Sequence, residues 1–135
     1  MEHTVTITMT KTYNTDDLIN ILSCITMDCP WCSDIDYRRD DYKEAKARLI
    51  DKVNKDIYYV CYEDVLVEIL EGGKSIWFID AEDDYERYEL TLDKLLNGIA
   101  LNAKNRPHDC DIDNGDGITM DCIIQYALFD DVIFG

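Results

Sequence analysis

The sequence predicts an α+β fold, a single small domain in which a short antiparallel or mixed sheet packs against several helices. Two observations lead there: apolar residues recur with helical spacing in several separated segments, and short runs of strand-forming residues lie between and around them. With 135 residues, 47% of them hydrophobic, the chain is long enough to bury one core without cross-links, and no repeat or linker marks a second domain.

Residues 4–12 alternate, with Val5, Ile7 and Met9 on one face and Thr4, Thr6, Thr8 and Thr10 on the other, the pattern of a half-buried strand. Thr15, Asp16 and Asp17 then suit a helix N-terminus, and Leu18, Ile21, Leu22 and Ile25 follow on one face. Pro30 stops that helix. A charged helix is expected over 41–54, carrying Tyr42, Ala45, Leu49 and Val53 on one stripe. Residues 57–70 begin with strand-like side chains, but Val65, Leu66, Ile69 and Leu70 favour a helix ending at Gly72-Gly73. Residues 75–80 read as a short buried strand followed by an acidic run. Thr91 starts another helix, with Leu92, Leu95, Leu96 and Ile99 in register, and residues 102–117 read as a polar loop. Residues 119–129 are apolar nearly all round and should form a central helix, with residues 132–134 closing the sheet as a terminal strand.

Charge narrows the function. There are 29 acidic and 13 basic residues, a net −16, which opposes direct contact with a nucleic-acid backbone or an anionic membrane. The same charge is drawn to basic grooves on other proteins, including grooves built to hold DNA or RNA, and it also keeps a protein in solution. There is no positively charged leader and no apolar stretch near the roughly 18 residues a membrane span needs, so a cytoplasmic location is expected.

In that compartment clustered cysteines hold metal or do redox work more often than they form disulfides. Cys29-Pro-Trp-Cys32 places two thiols at the spacing of a zinc knuckle, and His108-Asp-Cys110 offers a second pair. Cys29, Cys32, His108 and Cys110 together make a closed, structural zinc site, with Cys24 the substitute should His108 fail. Such a site would pin the 108–110 loop against the end of the first helix. Cys24, Cys61 and Cys122 are read as core, and His3 as too close to a frayed terminus to serve.

Other motifs are weaker. Cys29-Pro-Trp-Cys32 also has the form of a C-P-x-C thiol oxidoreductase site, although it follows a helix where such sites open one. Residues 111–118 look like a calcium loop, but the register puts Ile112 and Ile123 where carboxylates are required, so an Asx turn leading into the last helix is expected. No nucleophile and base pair or phosphate-binding loop stands out, and the chain is read as a binding protein, not an enzyme.

The closing segment Asp121-Cys-Ile-Ile-Gln-Tyr-Ala-Leu-Phe-Asp-Asp-Val-Ile-Phe-Gly135 resembles the end of small proteins encoded by bacteriophages and prophages of Gram-positive bacteria. Shared with them are an Asp16-Asp17 helix leading to Trp31-Cys32, the Gly72-Gly73 turn, and Leu90-Thr-Leu-Asp-Lys-Leu-Leu-Asn-Gly-Ile99. Cys29, His108 and Cys110 lie outside that pattern. Within this setting the chain is similar to phage-encoded anti-CRISPR proteins directed at type II systems. That resemblance implies a protein partner, an RNA-guided DNA nuclease, met in the cytoplasm of the bacterial host and kept from its target DNA. Asp80, Glu82, Asp83, Asp84 and Glu86 are the first candidates for contact with its basic channels. A phage structural or housekeeping role is the alternative, and a thiol oxidoreductase a further one.

Overall fold

The computed structural model describes residues 1–52, 60–83 and 85–135. Its elements are helix α1 (Thr15–Met27), strand β1 (Cys32–Tyr37), α2 (Arg39–Lys52), α3 (Tyr62–Glu71), β2 (Ile76–Asp80), β3 (Arg87–Leu90), α4 (Leu92–Asn105), a single 3-10 turn (Pro107–Asp109) and α5 (Gly117–Phe129). The architecture is α+β, as expected, and the sheet has three antiparallel strands in the order β1-β2-β3.

Each helix begins where local chemistry allows. Asn14 caps α1, its side chain accepting from the Asp17 amide at 2.9 Å while Asp17 Oδ2 accepts from the Asn14 amide. Asp116 does the same for α5 with Thr119. Helix α3 ends in a Schellman motif: the Gly73 and Lys74 amides donate to Leu70 O and Ile69 O, with Gly73 in the left-handed region at φ +84. Helices α1 and α3 run antiparallel, since Thr15 Oγ1 donates to Glu71 at 2.7 Å and Thr26 Oγ1 to Glu63 at 3.0 Å, joining the start of each helix to the end of the other.

The core lies between the inner face of the sheet and the helices. Ile35, Ile76, Phe78 and Leu90 are buried on the sheet side, and α3 contributes six consecutive buried residues from Val65 to Leu70. Helix α5 is buried along Thr119, Met120 and the run 122–127, the central place its apolar composition predicts. It packs tightly on α4 because Gly98 has no side chain: a Cβ there would stand 2.5 Å from Ile123 O and 2.7 Å from the Ala127 Cβ. Beside α3, α2 is fastened by Glu68, a 7% exposed carboxylate bonded to Lys52 at 2.9 Å and Arg48 at 3.1 Å. Burial alone would raise the Glu68 pKa, but the hydrogen bonds and charges of Lys52 and Arg48 outweigh it and hold the carboxyl below its usual range.

Several expectations are corrected. Residues 4–12 form no strand: they have no sheet partner among the described residues, and Val5, Ile7 and Met9 are 76, 75 and 83% exposed. Residues 132–134 are not a strand either, because their backbone bonds to a side chain, as described below. The polar loop is shorter than expected, since α4 continues to Asn105 and the 3-10 turn follows. Strands β1 and β3 were not anticipated, their charged residues having hidden a one-sided alternation. The helix expected over 41–54 starts earlier, at Arg39, and Val53 and Asn54 lie outside the described residues, as do 57–59.

Candidate functional site

The Cys29 and Cys32 thiols meet at the junction of α1 and β1. Met27 ends the helix, Pro30 blocks its continuation, and the Cys32 amide donates to Cys29 O at 3.3 Å, closing a tight turn. The neighbouring Cys29 thiol holds Cys32 below the usual cysteine range, and the Cys32 thiol, with burial, pushes Cys29 far above it. A register shift between Cys32 and Asp34 marks a bulge at Ser33, which kinks β1 just after the pair. The thiols line a cleft of about 270 Å³ with Ile25, Ile35 and Tyr62.

His108 and Cys110 sit elsewhere. His108 lies within the 3-10 turn and is exposed, and Cys110 follows the turn as its C-cap, its thiol directed to Pro107 O at 3.4 Å. This turn is fastened by the residue between them. Asp109 accepts from Thr119 Oγ1 at 2.6 Å and from Arg106 at 2.8 Å, and those bonds, the Thr119 hydroxyl foremost, hold its carboxyl below the usual range. The buried Asn102 side chain adds a bond to Asp109 O at 3.0 Å. The turn is therefore tied to α4 and α5. Among the described residues no group of three or more His, Cys, Asp or Glu side chains is placed to hold a metal ion, so the four expected zinc ligands are not brought together as one set, nor is Cys24 joined to them. Of the cysteines read as core, Cys122 is buried and Cys24 half-buried, but Cys61 is exposed, because it stands at the N-cap of α3 instead of inside an apolar element. The calcium-like segment is a turn and a cap: Asp111 accepts from the Asp113 amide and from Asn114 Nδ2, and Asp116 accepts from the Ile118 and Thr119 amides.

The acidic surface is better organised than its sequence suggests. Asp80 is turned inward as the organiser of the β2–β3 turn. Its Oδ1 accepts from the Glu82 and Asp83 amides and its Oδ2 from the Tyr88 hydroxyl at 2.7 Å. The Tyr88 bond leads the effects that lower the Asp80 pKa, while the Tyr88 phenol is pushed up to about 12 by the same bond. That arrangement leaves Glu82, Asp83 and Glu86 exposed on the turn; Asp84 lies outside the described residues. The turn abuts the start of β1, since the Ala81 amide donates to Trp31 O at 2.9 Å. On the outer face of the sheet, Asp34 lies beside Ile79, and Asp36, Trp77 and Glu89 form one row across the strands. Arg87, on the same face, is paired with Asp36. Asp34, Asp36 and Glu89 were missed from sequence, though the single buried Ile35 between two aspartates was a readable signal of one wet face.

Behind this surface the chain's closing segment is locked to Trp31. Trp31 Nε1 donates to Asp121 Oδ1 at 2.6 Å, and Gln125 Nε2 donates to the same oxygen at 3.2 Å. Gln125 Oε1 accepts the Ile133 and Phe134 amides at 2.9 and 2.8 Å, so one fully buried amide side chain takes the place of a neighbouring strand. The Phe134 ring stacks on Trp31 with centroids 5.2 Å apart, and Phe129 packs edge-on to Phe134 at 5.7 Å. Asp130, left-handed at φ 58, makes the reversal that lets the chain return.

No protein-family model, no curated protein and no solved structure matches this chain.

Proposed function

We propose that this protein acts by binding, as an acidic inhibitor that docks on the basic nucleic-acid channel of another protein; the resemblance of its sequence makes the RNA-guided nuclease of a type II CRISPR system the target. The observation that carries this reading is the acidic surface in which Glu82, Asp83 and Glu86 of the β2–β3 turn adjoin Asp34, Asp36 and Glu89 of the outer sheet face. Carboxylates presented on a hydrogen-bonded turn and a sheet mimic the negative charge of a phosphate backbone without its flexibility, and they would compete with target DNA for the same lysines and arginines. Half-buried Trp77 and Ile79 on that face offer apolar contact amid the charge. Asp80, whose oxygens are committed to the turn, supports the contact surface instead of forming it.

The test is a DNA-cleavage assay with the nuclease and stoichiometric protein at several salt concentrations. Inhibition that weakens with salt, and that is lost when Glu82, Asp83 and Glu86 are changed to lysine, supports the reading; full cleavage at every salt concentration overturns it. In the same reading a structural zinc ion, with Cys29, Cys32, His108 and Cys110 as ligands, would have to draw the 107–110 turn towards the cysteine pair. One zinc per chain by elemental analysis supports it, and metal-free protein whose melting is unchanged by added zinc overturns it. Cys29 and Cys32, side by side in the cleft they line, favour a second reading, thiol–disulfide exchange there, which an insulin-reduction activity lost in Cys32→Ser would support.

A further inference from the structure

Residues 1–13 form neither helix nor strand, and every residue from Met1 to Thr12 is exposed. Yet the run Thr4-Val-Thr-Ile-Thr-Met-Thr10 has the strongest strand alternation in the sequence. It is also nearly the same read in either direction about Ile7. Laid antiparallel against an identical run with a two-fold axis at Ile7, Thr4 faces Thr10, Val5 faces Met9, Thr6 faces Thr8, and Ile7 faces its own copy. Every cross-strand pair is then threonine with threonine or apolar with apolar, and the ribbon has one hydroxyl face and one apolar face.

Charge singles out the same segment. Glu2 and Lys11 are the only Asp, Glu, Lys or Arg among residues 1–13, and they cancel, so the whole net −16 resides in residues 14–135. Two copies repel through their bodies, and this arm is where they can approach without that cost. A two-stranded ribbon is marginal in water unless its apolar face is covered. At the root of the arm, Met9 and Tyr13 line an open recess of about 580 Å³ together with Leu96, Ile99 and Ala100 of α4, and Leu96 is 43% exposed there. We propose that the partner of this arm is a second copy of the chain: two arms pair as an antiparallel ribbon on a two-fold axis at Ile7, with the apolar face directed to the α4 recess.

Sedimentation equilibrium of the full chain from about 1 to about 500 µM tests this. The wild-type chain is expected to pass from one to two copies over that range, and more readily at higher salt, which screens the repulsion between bodies. Ile7→Asp sets two carboxylates against each other on the axis and is expected to weaken dimerisation at least about tenfold, with an unchanged far-UV spectrum. Thr6→Lys/Thr8→Lys and Thr6→Glu/Thr8→Glu are expected to be monomers alone and a dimer when mixed, because residue 6 of one copy faces residue 8 of the other. A chain that stays monomeric throughout overturns the proposal. So does a dimer indifferent to Ile7→Asp, or one that falls apart as salt is raised. Lys and Glu variants that do not combine on mixing overturn the two-fold register.

Discussion

The two ends of the chain carry similar local signals and meet opposite fates. Residues 4–12 alternate and residues 132–134 are β-branched and aromatic, so both read as strands, and neither becomes one. At the C-terminal end the backbone still finds its partners: Gln125 accepts two of its amides and its Nε2 donates to Phe134 O at 3.3 Å, while Trp31 supplies a ring for Phe134 to stack on. At the N-terminal end the apolar side chains remain exposed. The difference shows that strand propensity expresses itself only where another element supplies hydrogen bonds and cover.

This comparison is open to attack, first at the ring. Trp31→Ala removes the surface shared by Phe78, Phe129 and Phe134 and leaves Asp121 without its indole donor; a loss of about 3–5 kcal/mol in denaturant unfolding is expected. Gln125→Leu keeps the volume but leaves the Ile133 and Phe134 amides without an acceptor, so a loss of about 1–3 kcal/mol is expected, together with early hydrogen exchange confined to residues 130–135. Wild-type stability after Gln125→Leu would show that the side chain does not stand in for a strand.

The α2–α3 joint gives a smaller effect and a direction in pH. The folded-state pKa of Glu68 lies below its unfolded value, so its contribution is present above the usual carboxylate range and is lost as pH falls through the folded value. Glu68→Gln should therefore lower stability at neutral pH and flatten the acid limb of the stability curve, leaving the two proteins alike once the carboxyl is protonated. The smallest effect belongs to the arm. Ile7→Asp should shift the unfolding free energy of dilute, monomeric protein by no more than about 0.5 kcal/mol, because Ile7 is 75% exposed. A larger loss at low concentration would mean that the arm contributes to the core of its own chain.

Much of the fold was legible residue by residue. The apolar stripes of α1, α4 and α5, the Thr91 cap and the glycine pair ending α3 are local features, and each stands where the spacing placed it. The candidate sites were less legible. Cys29 and Cys32 are close in sequence and meet in space, whereas their expected partners at 108 and 110 depend on where α4 and α5 leave the turn, and Asp109 ties it there. Asp80 was placed among the contact residues with its acidic neighbours, but its hydrogen bonds turn it into the organiser of their loop.

Periodicity, capping and charge are short-range properties, so the sequence by itself determined that this protein is a helix-rich α+β chain with a strongly acidic surface. Which alternating segments became strands, which carboxylates faced outward and which cysteines met required the tertiary structure. Those outcomes depend on partners distant in sequence, and a strand, a buried amide or a ligand pair is stable only when its counterpart is brought within a few ångströms.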